Sequence, residues 1–158
     1  MKKIKSRLVF DKSVKVAIVA SKFNSLVVDR LIEGAISTLE QHGIEADNIL
    51  LYEVPGAFEL PLVAQNIARL SDISGVIALG AVIKGATPHF DYVSSNCASG
   101  LAKVALDTNK PVSFGVLTTD TLEQALERAG SKAGNKGIEA AYATLEMISL
   151  LQTVQNCL

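Results

Sequence analysis

Four short runs in this sequence, VKVAIVA (14–20), NILLYEV (48–54), GVIALGAVI (75–83) and PVSFGVL (111–117), are rich in β-branched residues and apolar without alternation. A strand with one wet face alternates apolar and polar residues, because successive side chains point to opposite sides. A run with no alternation is therefore a strand covered on both faces. Segments of helical period lie between the runs. Val28, Leu31, Ile32, Ala35 and Leu39 recur at three- and four-residue spacing, and Gly43 is placed to end that helix. A second helix is predicted over about 58–70, and a third over about 92–107 with Val93, Cys97, Leu101, Val104 and Ala105 on one face. The capping-box pattern Asp120-Thr121-Leu122-Glu123 starts a fourth helix, which ends near Ala129 before Gly130. A last helix over about 137–152 carries the stripe Ile138, Ala141, Tyr142, Leu145 and Ile148.

Strand and helix alternating at this spacing require right-handed crossovers, hence a parallel sheet with helices on both faces. The predicted fold class is α/β: a three-layer α/β/α sandwich of flavodoxin-like type on a four-stranded parallel sheet. Ser6-Arg7-Leu8-Val9-Phe10 has the make-up of a further N-terminal strand, but Lys12 and Ser13 part it from the first core run with no hairpin turn. A neighbouring subunit is then the place for it to pair.

At 158 residues and 49% hydrophobic content the chain can bury about two thirds of its unfolded surface around one core, so one domain over 1–158 is expected. A charged fraction of 20% and a net charge of −1 provide no long-range field to gather nucleic acid or anionic lipid. The expected partner is a small molecule or another copy of the chain. Cys97 and Cys157 are the only cysteines, with no CxxC and no histidine at ligand spacing, so neither a metal site nor a disulfide framework is indicated. The opening is basic, but Asp11, Lys12 and Lys15 interrupt the apolar run before it forms a signal core, and no segment approaches the roughly 20 apolar residues that span a bilayer. A soluble, unprocessed, cytoplasmic protein is expected.

Ligands of open parallel sheets lie beyond the carboxyl ends of the strands. In this sequence those ends read Ser21-Lys22-Phe23-Asn24, Pro55-Gly56-Ala57-Phe58-Glu59, Lys84-Gly85-Ala86-Thr87-Pro88-His89 and Thr118-Thr119-Asp120. Two of the five phenylalanines and one of the two histidines fall on this edge. Gly80 and Gly85 have P-loop spacing, but a phosphate-cradling Walker loop needs Lys and Ser/Thr directly after the second glycine, and here Ala86 and Thr87 follow. What remains is a loop in which Gly85 either adopts positive φ or lets a ligand approach, with a threonine hydroxyl and free amides sized for one phosphate. His89 is expected just ahead of the third helix, and histidine is the residue type suited to proton transfer near neutral pH. His42, beside Gly43, is expected to be exposed. Arg128, Lys132 and Lys136 read as surface cations, Arg128 paired within its own helix. No Ser-His-Asp triad, nucleophile elbow or carboxylate pair is present. The residues thus imply a domain that binds a phosphorylated small molecule beside a histidine acid/base.

The stretches ASKFN (20–24), LIEGA (31–35), VPGAFELP (54–61), ALGAVIKGATPHFDYV (78–93), FGVLTTDTLEQALERAG (114–130) and KAGNKGIEAA (132–141) resemble the lumazine synthase family in order and spacing. The resemblance implies a flavodoxin-like enzyme without metal or organic cofactor. It condenses 5-amino-6-ribitylamino-uracil with 3,4-dihydroxy-2-butanone 4-phosphate to 6,7-dimethyl-8-ribityllumazine, phosphate and water, in riboflavin biosynthesis. It further implies that Phe23 stacks on the pyrimidine, that Ala57, Phe58 and Glu59 hold the ribityl chain, and that Ala81, Val82 and Ile83 line the pyrimidine pocket. Gly85, Ala86 and Thr87 would hold the phosphorylated substrate, and His89 would act as acid/base. Phe114, Arg128 and Lys136 would come from the neighbouring subunit, Phe114 against the heterocycle and Arg128 on the phosphate.

Two positions depart from the family pattern. Lys84 stands where arginine is common, and Glu53 stands where some relatives carry an aromatic residue. The family forms pentamers, twelve of which build an icosahedral shell in some members, and the short turn AGSKAGNKG, without the insertion of members that stop at pentamers, favours the sixty-subunit shell. The competing readings are a non-catalytic flavin- or lumazine-binding protein of the same fold, or a shell-forming subunit.

Overall fold

A computed structural model describes residues 1–157. Its sheet has four strands, β1 (Val16–Ser21), β2 (Ile49–Val54), β3 (Gly75–Ile83) and β4 (Val112–Thr119), all parallel and in the order β2-β1-β3-β4. Five α-helices connect and flank them: α1 (Ser25–Gln41), α2 (Leu60–Ala68), α3 (His89–Thr108), α4 (Leu122–Glu127) and α5 (Lys136–Gln155). This is the flavodoxin-like order, in which the chain leaves β1 toward one edge and returns on its other side to build β3 and β4.

The unbroken apolar runs are explained by two cores, one on each face of the sheet. Val16, Ile18 and Ala20 of β1 point into a core shared with α1, α4 and α5, whereas Ala17 and Val19 point into one shared with α2 and α3. Every residue of β1 and the first seven of β3 are buried. The edge strands depart from the expectation of two covered faces. In β2, Leu51 is 45% and Tyr52 37% exposed, because an edge strand has a neighbour on one side only. In β4, Phe114 and Thr118 are likewise exposed.

The helices form where the periodicity places them, with local corrections. The stripe Cys97, Leu101 and Val104 on α3 is buried as expected. On α5 the buried face is Gly137, Ala140, Ala141, Thr144, Leu145, Ile148 and Ser149, so Ile138 and Tyr142 do not belong to it. Small residues there let α5 lie close on the sheet and on α1, which apolar periodicity alone does not register. The cap of α4 is Thr121, one residue later than Asp120: its hydroxyl accepts from the Gln124 amide at 3.1 Å, and Gln124 Oε1 accepts from the Asp120 amide at 2.9 Å. His42 is half-buried, because its Nδ1 meets the Thr38 carbonyl at 2.8 Å and its ring abuts Tyr142 edge-on at 4.9 Å.

Residues 6–10 form no strand within this chain. The Arg7 amide donates to Ser149 Oγ at 2.7 Å, while Leu8 and Phe10 pack against the α1/α5 core and Val9 is exposed. The segment runs alongside α5, away from the ladder, since both sheet edges are formed by β2 and β4.

Candidate active site at the strand ends

The order β2-β1-β3-β4 creates a crevice where the connections from β1 and β3 leave in opposite directions, and a cavity of about 540 Å³ opens there. It is lined by Phe23 and Asn24 after β1, Gly56 to Glu59 after β2, Ala81 to Ile83 at the end of β3, Gly85 and Thr87 in the next loop, and His89, Phe90, Tyr92 and Val93 at the start of α3. Three stretches of sequence, 23–24, 56–59 and 81–93, thus converge on one volume. Ten of the fourteen site residues expected from the sequence are among them: Phe23, Ala57, Phe58, Glu59, Ala81, Val82, Ile83, Gly85, Thr87 and His89. Ala86 belongs to the same loop but does not line the cavity, and neither do Phe114, Arg128 and Lys136.

Local hydrogen bonds hold the rim. The Lys22 amide donates to the Val54 carbonyl at 2.8 Å and the Phe23 amide to the Pro55 carbonyl at 3.1 Å, which prolongs the β1–β2 pairing past the strand ends. Beyond Pro55 the chain turns through a 3-10 segment, Ala57–Glu59, braced by Glu59 Oε2 accepting from the Gly56 amide at 2.9 Å. One carboxylate oxygen of Glu59 is thereby engaged, and the other remains an acceptor on the cavity wall. Phe23 and Phe58 are 71% and 61% exposed, two aromatic faces presented to the opening. Beneath them Ser21 closes β1 with its hydroxyl buried and without a hydrogen-bond partner among the described residues, beside the bare backbone of Gly80.

The phosphate-sized loop is only partly as expected. Gly85 does not adopt positive φ, and nothing lies within 4 Å of where its side chain would start, so of the two expected reasons for glycine here the positive φ is absent. Lys84 is exposed, with its amide tied to the Thr119 carbonyl at 2.8 Å. His89 is the first residue of α3, with Pro88 as N-cap and no side chain capping the first turn. The sequence placed the helix start three residues later, at about 92, whereas Pro88 permits the helix to begin directly after it. As a result the start of the helix and the positive end of its dipole border the loop that carries Gly85 and Thr87, while the Asp91 amide is already bonded to the Pro88 carbonyl at 3.0 Å. Asp91 in that turn offsets part of the positive field. Imidazole, a threonine hydroxyl, two aromatic rings and the Glu59 carboxylate thus border one cavity.

The cationic candidates stand apart from this cavity but together. Arg128 caps α4 and Lys136 opens α5, and the turn between them folds back so that Ala129 and Asn135 form an antiparallel bridge. The Lys136 amide donates to the Arg128 carbonyl at 2.9 Å. Arg128 makes no ion pair among the described residues; it is exposed, and Nη1 donates to the Gln124 carbonyl at 3.0 Å. Lys136 pairs with Glu139 at 3.1 Å. Phe114, 38% exposed, lies at the outer edge of the sheet, away from the strand ends.

Cys97 is buried in the α2/α3 core, and burial pushes its thiol up to about 11, so it stays protonated and inert. Among the described residues no group of three or more histidine, cysteine or acidic side chains could hold a metal ion, and no helix is long and apolar enough to cross a membrane.

Asn24, Gly56, Phe90, Tyr92 and Val93 line the cavity without having been singled out in the sequence. Asn24 and Gly56 sit in the quoted edge segments, so their location carried a signal. Phe90, Tyr92 and Val93 carried none, because apolar residues at the start of a helix read as core. A family model described as 6,7-dimethyl-8-ribityllumazine synthase matches residues 13–152, nearly the whole chain.

Proposed function

The chain belongs to the 6,7-dimethyl-8-ribityllumazine synthase family, which acts in riboflavin biosynthesis, and from that membership we propose that it catalyses the condensation of 5-amino-6-ribitylamino-uracil with 3,4-dihydroxy-2-butanone 4-phosphate. The observation that carries the reading is the convergence of Phe23, Glu59, Thr87 and His89 on one cavity. The pyrimidine stacks on Phe23 against the main chain of Ala81, Val82 and Ile83, and its ribityl hydroxyls reach Ala57, Phe58 and the free oxygen of Glu59. Phosphate sits over Gly85, Ala86 and Thr87 at the start of α3. The aryl amine attacks the ketone and loses water to give an imine, phosphate leaves, and ring closure expels a second water. His89 moves the protons. Holding two substrates in register replaces a bimolecular encounter and supplies the larger share of the acceleration.

Phe114, Arg128 and Lys136 do not line the cavity of their own chain, so a neighbouring copy supplies them. Such a heterologous contact closes into a ring. The family reading makes that ring a homopentamer, and the short 129–137 turn allows pentamers to build a sixty-subunit shell. The unpaired N-terminal segment offers a further tie between subunits. The cytoplasm is the proposed location, with no cofactor required. In the experiment that tests this reading, purified protein is sized by light scattering and then mixed with both substrates. Fluorescent lumazine formed by an oligomer supports it. A tightly held coloured ligand without turnover would favour the non-catalytic binder, and an active monomer would overturn the shared site.

Arg128→Ala is expected to raise KM for the butanone phosphate about 10- to 100-fold, the loss of a charge-assisted, bidentate contact worth about 1.5–3 kcal/mol, while KM for the pyrimidine changes little. Steady-state kinetics with each substrate varied in turn checks it. A selective loss of pyrimidine affinity would reject the phosphate assignment.

A further inference from the structure

The ladder between β1 and β3 ends at Ala20 opposite Leu79, whereas β3 and β4 stay paired to Ile83 opposite Thr119. Past Leu79, the side of β3 that faces β1 has lost its strand partner. Asn24 fills the gap. Its side chain reaches across 57 positions of sequence, and Nδ2 donates to the Ala81 carbonyl at 2.8 Å. A carbonyl only accepts, so the amide nitrogen must face it and the amide orientation is fixed.

The backbone of Asn24 is equally specific. Its φ of 61° and ψ of 44° are left-handed, a region that asparagine and glycine enter at low cost and other residues do not. Its carbonyl accepts from the Val27 and Val28 amides to start α1. Asparagine at a helix start ordinarily caps it through the side chain. Here no side-chain cap is made, because the amide is committed to β3. Phe23, immediately before, is held on its other side by the Pro55 carbonyl.

We propose that Asn24 is a positioning residue: by tying the β1–α1 turn to Ala81 it sets the distance between the Phe23 ring and the main chain of Ala81–Ile83, and so the width of the slot that takes a planar heterocycle. The assignment rests on the proposed function for the identity of that heterocycle. Asn24→Gly keeps the left-handed backbone and removes the amide. Asn24→Asp keeps the shape and sets an acceptor against the Ala81 carbonyl.

The test measures three quantities for the wild type and both variants: the Kd of the ribitylamino-pyrimidine by calorimetry, KM for each substrate, and thermal unfolding at fixed protein concentration. Both variants are expected to weaken pyrimidine binding about ten-fold, Asn24→Asp at least as strongly as Asn24→Gly, with KM for the butanone phosphate within about two-fold of wild type. Wild-type pyrimidine Kd in Asn24→Gly overturns the assignment. So does an equal change of both KM values that follows loss of thermal stability, which would mark a purely structural residue. If one variant fails to fold, the other reads the same amide contact. A wild type that neither binds the pyrimidine nor forms product removes the functional reading and this assignment with it; a wild type that does both, with unaltered variants, removes the assignment alone.

Discussion

Gly137→Ala is expected to destabilise the fold by about 4 kcal/mol, a fall in melting temperature of roughly 10 °C for a chain of this size. The reason is a backbone contact. A methyl group on Gly137 would stand 2.0 Å from the Leu31 carbonyl oxygen and 2.7 Å from its carbonyl carbon. No side-chain rotation can relieve a clash with main chain, so α1 and α5 must separate. Leu31 is fully buried at the centre of the α1/α5 core, and any separation opens that core. The junction has little slack, because Asn135 fastens it from both ends: Oδ1 accepts from the Gly137 amide at 2.8 Å and the Ile138 amide at 3.2 Å, while Nδ2 donates to the Arg30 carbonyl at 3.1 Å. Thermal unfolding at fixed protein concentration checks the prediction, and an unchanged midpoint would refute the close-approach account.

His89→Ala is expected to lower kcat by roughly 10- to 10³-fold while leaving thermal stability unchanged. The side chain is exposed at the first position of α3, outside both hydrophobic cores, so its removal opens no cavity in the fold. Activity should persist because proton transfer is one contribution among several, and substrate positioning by the rest of the cavity is untouched. Single-turnover kinetics separates the chemical step from product release. A variant with wild-type kcat would exclude His89 from proton transfer, and a variant with no detectable turnover would mean that proximity contributes far less than proposed.

Much of the candidate site was legible because of where its residues fall in the sequence. Phe23, Glu59, Thr87 and His89 follow three apolar runs, and in a parallel sheet the residues after each strand share one edge. The parts that were not legible depend on geometry between distant segments. The start of α3 at His89 was missed because a proline ahead of a helix can act as cap or as breaker. The role of Asn24 turns on how far β1 extends along β3, a register that periodicity does not contain. Arg128 and Lys136 read from residue type alone as surface cations, and only the family resemblance brought them to one site; the Ala129–Asn135 bridge is what sets them side by side in the chain.

The sequence by itself determined that this chain makes a parallel sheet covered on both faces, with its polar and aromatic residues gathered at the strand ends. Those features are local: strand and helix are distinguished by period, and topology follows from the handedness of short crossovers. Tertiary structure alone decided which strands are edges, which small residues let α5 approach α1, and which groups meet across the cavity. These depend on contacts between segments tens of residues apart, whose energies are set by complementary shape and by hydrogen bonds that form only after the backbone has closed.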